Sequence, residues 1–425
     1  MKTWTKGSFF ATVTCAVAGA YWLYEKRRIS LDTVGGAARP SEYELKLVQV
    51  LFRHGARTPL KSLPGTLQAE WIVDLLQVPP HTKFSYTVKN LRGDPRPPSP
   101  LEDHYRAHKL NGGAFHGQLT TLGMQQMYNL GERLRDVYIK KSNFLSPVFK
   151  STEVYVRSTN IVRTIESAVC LLAGLFQQQQ EGIVTVFTSE AETEVLYPNY
   201  TRCDHLKQMT RQRIVQASLL PEIAEDLKEM YKLLEIPEHE RINFIDIWDD
   251  MASRKAHDLA RPSSVHYLMK IIEKRAVETV HFAYEPSNST SLQLCVGQLL
   301  SILIGNIENK LKDQDSLENL RKLHLYSVHD TTLMPFLMAL DIFDMKWPPY
   351  SADAILELYE HRSSKEAFVK VSYLGKRLLQ KDAEEIPHKF TYIGETGFNL
   401  TKVRRRGRNV IGHRAIFILA GQCRG

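Results

Sequence analysis

Leu45-Lys46-Leu47-Val48-Gln49-Val50-Leu51-Phe52 runs straight into Arg53-His54-Gly55-Ala56-Arg57-Thr58-Pro59. The first eight residues read as a β-strand. In the following seven, two arginines bracket a histidine, Gly55 permits a tight turn and Pro59 fixes the exit. Guanidinium groups present planar donor forks that match phosphate oxygens. A neutral imidazole held between two such forks can attack phosphorus. The pattern therefore expects His54 as nucleophile, with Arg53 and Arg57 holding a phosphate.

Working outward, short apolar runs alternate with helical patterns, which predicts an α/β fold. Further strands are expected at Glu153–Val156, Ile183–Phe187 and Leu323–Val328, and a hairpin at Ala354–Tyr359 with Phe368–Tyr373. Helices are expected over Thr120–Tyr138, over about Ile161–Gln178 and from Thr331. Two of these strands end in chemistry. Arg157 follows Val156 and could supply a third clamp, although a surface arginine is an equally good reading of that position alone. His329-Asp330 closes the strand Leu323–Val328 and opens a helix, where His329 can donate to a phosphate oxygen and Asp330 can protonate a leaving group. An isolated Asp330 there would more often be an N-cap. What favours the functional reading is topology: all three groups lie beyond the carboxyl end of a predicted strand, the edge at which open α/β sheets bind ligands.

The remaining chain divides by composition. Residues 1–30 are a targeting or anchor segment: Ser8–Tyr24 carries no charge and is flanked by Lys2 and Lys6 on one side and Lys26-Arg27-Arg28 on the other. The near absence of acid favours a mitochondrial presequence, with a secretory signal or a membrane anchor as alternatives. The α/β core occupies 43–199 and 316–385. Between them, 200–315 is rich in Leu, Lys, Glu and Gln, and Leu292, Cys295, Leu299, Ile302 and Ile307 trace a helical stripe. This is expected to be a mainly helical insertion over the sheet. Residues 386–425 form a basic tail.

Net charge is +8, but the two ends carry +4 (1–30) and +7 (386–425), which leaves −3 on the body. A nucleic-acid binder puts its charge on the folded face, so that class is set aside. Cys170, Cys203 and Cys295 are three widely spaced body cysteines and announce no disulfide framework; no C-x-x-C or H-E-x-x-H set suggests a metal. No cofactor is expected. The sequons at Asn199, Asn288 and Asn399 are too short a pattern to weigh against this.

Taken together, Arg53-His54-Gly55-Ala56-Arg57-Thr58-Pro59, the later His329-Asp330 pair and Arg157-Ser158-Thr159 resemble the histidine acid phosphatase family over roughly residues 44–376. Gln118-Leu119-Thr120, Gly123, Gln126, Leu130-Gly131 and Leu134-Arg135 resemble its helix after the active-site loop. The resemblance implies a phosphoglycerate-mutase-like open sheet with helices on both faces and a helical cap. It implies that His54 forms a phosphohistidine, that Arg53, Arg57, Arg157 and His329 hold the phosphoryl oxygens, and that Asp330 is the proton donor and later the base. The runs Val195–Tyr200 and Lys346-Trp347-Pro348-Pro349 resemble a mitochondrial branch of the family whose substrate is lysophosphatidic acid. A phosphorylated lysolipid is thus the expected partner, with membrane association through the N-terminal segment and a monomeric enzyme. The alternatives are a phosphatase of sugar or inositol phosphates and, in a different class, an inactive binding protein on the same fold. Two features depart from the family. Asn160 stands where many members carry an acid, which points to altered support of the site. Beyond Tyr373 the expected cysteine-containing turn and closing helix are replaced by the basic tail, which is expected to be loose.

Overall fold

The computed structural model describes residues 42–377, apart from 238, 263–264, 266, 285–288 and 313–319. The targeting segment, the basic tail and the sequons at Asn288 and Asn399 lie outside the described residues. The chain divides into two units, 1–43 and 44–425, and the second holds the sheet and its helices.

Eight strands form one sheet: β1 Tyr43–Arg53, β2 Tyr86–Asn90, β3 Val154–Ser158, β4 Val184–Thr188, β5 Leu323–Val328, β6 Asp353–His361, β7 Ala367–Tyr373 and β8 Lys376–Arg377. Their order is β2-β4-β3-β5-β1-β6-β7-β8. The pairs from β2 through β1 are parallel, and β6-β7-β8 is an antiparallel meander. Register places the site. Arg53 lies opposite Val328, and Ser158 opposite Ser327, so β1, β5 and β3 end side by side.

β1 shows why the decisive run lacks a simple alternation. From Leu47 onward every residue is buried. Leu47 and Leu51 enter one apolar cluster, while Val48, Val50 and Phe52 enter another, because successive side chains leave opposite faces of a strand. Gln49 is accommodated by hydrogen bonds: its Nε2 donates to the Leu303 carbonyl (2.9 Å) and its Oε1 accepts from Asn306 (2.7 Å).

One face is covered by α2 (Thr121–Arg135) and α3 (Val162–Phe176), which follow α1 (Pro100–Arg106) in the chain. α2 and α3 approach closely through Gly131 and Gly174; a Cβ on either would overlap the facing backbone. The other face carries α9 (Asp330–Ala339) and the insertion helices α4 (Asp204–Ala217), α5 (Pro221–Leu233), α6 (Phe244–Ala256), α7 (Met269–Tyr284) and α8 (Ser289–Leu311). The insertion has no core of its own: Ile223, Ile247, Ile272 and Leu299 share a single cluster with Leu51, Tyr326 and Leu337. α8 is long and apolar enough to cross a membrane, yet Leu292, Leu299 and Leu303 are buried against the sheet side, as in a core helix.

Three elements escape the sequence reading, the first being β8, which adds two residues to the expected hairpin. β2 is an edge strand that pairs along its length with β4 and makes one further bridge, Lys89 with Pro95; Tyr86 and Lys89 face solvent, so Tyr86–Asn90 carries no apolar run. α1 is seven residues long, too short for a periodic stripe. Cys170 and Cys295 carry buried free thiols, whereas Cys203 is disulfide-bonded, contrary to the expectation from spacing. Asn199, a sequon residue, is buried and spends its amide on the Ala191 and Glu194 carbonyls.

Candidate active site

The loop after β1 is pressed against the start of α2. Thr120 caps that helix by accepting from Gly123 N (3.2 Å). Gly55 does not adopt a left-handed backbone. It is required for closeness: a Cβ there would overlap the Gly123 carbonyl, and a Cβ on Gly123 would overlap that of Ala56. Gly55 N donates to Ser167 Oγ of α3 (3.1 Å) and Ala56 N to Gln126 Oε1 of α2 (2.9 Å).

His54 is fully buried at the centre of this frame. Its Nδ1 lies 2.9 Å from the Gly55 carbonyl. A carbonyl can only accept, so Nδ1 carries the proton and Nε2 carries the lone pair. Burial, then the positive charges of Arg163, Arg57 and Arg53, hold the ring well below the usual 6.5, which keeps it neutral. The His329 ring stands edge-on at 5.5 Å, and the Tyr350 ring lies at 6.0 Å.

His329 and Asp330 begin α9 beside it. His329 Nε2 is 3.0 Å from Thr159 Oγ1, and burial with Arg163 lowers its pKa well below 6.5. Asp330 is gripped on both oxygens. Oδ2 takes the Arg53 guanidinium (2.7 Å) and the Trp347 indole N–H (3.0 Å), and Oδ1 accepts from Thr331 N (2.7 Å). Burial pushes this carboxyl up, but Arg53, Arg57 and His329 outweigh it and hold it below its ordinary 3.8. The Trp347-Pro348-Pro349-Tyr350 run is thereby explained. Trp347 holds Asp330, the Pro348 carbonyl accepts from Arg53 (2.6 Å), and the Tyr350 ring lies 4.2 Å under the Arg53 guanidinium.

Three buried arginines, Arg53, Arg57 and Arg163, act on the histidines, and Arg157 is buried as well. Arg57 pairs with Asp249 of α6 (2.7 Å), whose other oxygen accepts from Leu60 N (2.6 Å). Burial opposes the charge on Arg57, but Asp249 more than offsets it. The insertion thus reaches the active-site loop. Arg157 is engaged by Ser189 Oγ and Glu194 Oε1, both at 3.2 Å. Arg163, in the first turn of α3, has no signal in the sequence. It is the largest single charge acting on both His54 and His329. Burial, reinforced by Arg57, lowers its own pKa, with Tyr105 opposing. Its Nε and Nη1 have no protein partner, and neither do the Nε atoms of Arg53 and Arg57. Buried N–H groups left unsatisfied are costly, and the three arginines that carry them here are those whose charges act on the His54 ring. Asn160 proves to be a strap: it accepts from Arg96 and donates to the Pro97 and Pro98 carbonyls, which a carboxylate could not do. Among the described residues no group of His, Cys, Asp or Glu is arranged to hold a metal.

The same helix carries a pH-sensitive position. Glu166 is half-buried near Glu102, and burial first, then that neighbour, raises its carboxyl from 4.5 to about 7. The folded state therefore holds this proton more tightly than the unfolded chain. Its contribution is complete below about pH 4.5 and is lost as pH rises through about 7, a difference on the order of 3 kcal/mol. Melting curves at pH 5 and pH 8 should show Glu166→Gln gaining on the parent chain only at pH 8. An equal gap at both pH values would refute the assignment.

The histidine phosphatase superfamily (branch 2) matches residues 44–374. Lysophosphatidic acid phosphatase type 6 of Homo sapiens is 45% identical over 381 residues, covering 88% of this chain and 87% of its own. The Pongo abelii protein of that name is 46% identical over 381 residues, with the same coverage. Among solved structures, Hafnia alvei phytase in complex with tartrate aligns with a TM-score of 0.52 at 14% identity, covering 78% of this chain and 85% of that one. At that identity the likeness is one of fold alone.

Proposed function

The chain belongs to the histidine phosphatase superfamily, branch 2, and is a phosphoric monoester hydrolase; from that premise we propose that it converts lysophosphatidic acid to monoacylglycerol and phosphate through a phosphohistidine on His54. The observation that carries the chemistry is the forced tautomer of His54 beneath arginine donors that have no protein partner. A phosphomonoester supplies acceptor oxygens to Arg53, Arg57, Arg163 and His329. His54 Nε2 attacks phosphorus, and the P–O bond to glycerol breaks. Asp330 delivers the proton to the departing alkoxide. The substrate's own negative charge draws on the guanidinium that now holds Asp330 ionised, which raises the carboxyl's proton affinity when the site fills. In the second step Asp330 takes a proton from water, water attacks phosphorus, and the P–N bond to His54 breaks. Charge stabilisation by the arginines is the main contribution the site makes.

The lipid substrate is supported by the names of the relatives. The Tyr197 ring stands 6.2 Å from that of His329, an aromatic face close to the phosphate site. The basic-flanked apolar stretch in residues 1–30 supports a mitochondrial address and a membrane contact. Phosphate release at mildly acidic pH from lysophosphatidic acid, phosphatidic acid and phytate tests the substrate. Expected is at least a tenfold preference in kcat/KM for lysophosphatidic acid. A preference for phytate would overturn the lipid assignment and leave the chemistry standing.

A further inference from the structure

We propose that Tyr105 is a positioning residue for Arg163, and that α1 exists to bring it there. The proposal rests on the reading of Arg163 as a phosphate-holding side chain.

Arg163 is 5% exposed. Its guanidinium carbon sits over the Tyr105 ring, 5.0 Å from the centroid. On another side Gly117 leaves the room it needs: a Cβ at Gly117 would come within 3.0 Å of Arg163 Nη1. An aromatic face suits this task better than a carboxylate. It attracts the cation and fixes the guanidinium plane, the Tyr105 hydroxyl accepts a hydrogen bond from the guanidinium, and Nε and Nη1 are left without a protein partner. Arg57, by contrast, has one Nη committed to Asp249.

α1 is tied to the turn that launches α3. Glu102 Oε2 accepts from Val162 N (3.0 Å), and Glu102 Oε1 is held by Arg106 (2.8 Å). The N-cap residue of α3, Ile161, has no side chain able to do this, so α1 supplies the cap from outside. The approach to α1 is fastened to Asn160 as well, through Arg96, Pro97, Pro98 and Ser99. The segment that carries Tyr105 and the turn that carries Arg163 are therefore set against each other by five hydrogen bonds. Few structural reasons would call for so much fastening around a seven-residue surface helix. Placing one ring under one guanidinium is a sufficient reason.

The test uses the inhibition constant of inorganic phosphate, together with KM and kcat for lysophosphatidic acid, in the full chain. Tyr105→Phe keeps the aromatic face and should hold the phosphate constant within about twofold. Tyr105→Met keeps bulk and loses the face; phosphate binding and KM should each weaken about fivefold, with kcat much less affected. In an Arg163→Ala background, Tyr105→Met should add nothing, because the ring then has no guanidinium to position. Glu102→Gln, which loosens the strap and leaves the ring intact, should weaken phosphate binding in the parent chain and again add nothing beside Arg163→Ala. If Arg163→Ala impairs phosphate binding but the Tyr105→Met penalty is the same in both backgrounds, positioning is overturned while the reading of Arg163 stands. If Arg163→Ala leaves phosphate binding unchanged, both fall. Should Tyr105→Met fail to fold, the Glu102→Gln pair decides, and no weakening there overturns the proposal.

Discussion

His54→Ala should lower turnover of lysophosphatidic acid by a factor on the order of 10⁴ or more while leaving phosphate binding largely intact. The two effects separate because the groups that hold the phosphate are not the group that attacks it. Arg53 keeps Asp330, the Pro348 carbonyl and the Tyr350 face, and Arg57 keeps Asp249. None of these contacts runs through the imidazole. The ring is neutral, so its loss creates no unpaired buried charge. The measurement is a rapid quench with substrate labelled in its phosphate. The parent chain should yield protein-bound label that survives alkali and is lost in acid, as expected of a phosphoramidate, and the alanine variant should yield none. Label persisting in the variant would move the nucleophile elsewhere, and His329, 5.5 Å away, would be the next residue to test.

Five of the candidate site residues are legible in the sequence because each sits within one of two short motifs at strand ends. Arg53, His54 and Arg57 lie in one loop, His329 and Asp330 in the other, and parallel pairing of β1 with β5 brings the loops together. Arg163 is not legible, since nothing in Val162-Arg163-Thr164 distinguishes an interior helix arginine from a solvated one. Its meaning comes from α1, some sixty residues earlier, crossing over the start of α3, and no local pattern encodes a crossing. Asp249 is hidden for a like reason, as one acid among many in a helical insertion. Gly55 reads as indispensable for the freedom of a tight turn, and the cause is different: it is close approach to Gly123 that excludes a side chain there. The sheet is largely visible because its central strands are buried on both faces. The edge strand β2 escapes because it is five residues long and its exposed positions, Tyr86 and Lys89, break any apolar run.

Asp330→Asn should divide the reaction by leaving group. The amide keeps the shape of the carboxyl but has one acceptor oxygen, so it keeps the bond from either Trp347 or Thr331 and not both, and it can neither give up a proton to an alkoxide nor take one from water. An alkyl phosphate such as lysophosphatidic acid needs that proton at the first step, so its turnover should fall about 10³-fold with no accumulation of phosphoenzyme. An aryl phosphate with an acidic phenol departs as the anion and does not need it. With p-nitrophenyl phosphate the variant should therefore form phosphohistidine at close to the parent rate and then stall, because the water of the second step has lost its base. The predicted trace is a burst of nitrophenolate of about one equivalent per active site, followed by a slow phase. Electrostatics pulls the same way: removing the carboxylate releases the Arg53 charge it now holds, so the trapped phosphoryl group should be bound more firmly. Equal losses for both substrates without a burst would mean that Asp330 serves only to orient Arg53, and the acid would have to be sought among the other groups at the site.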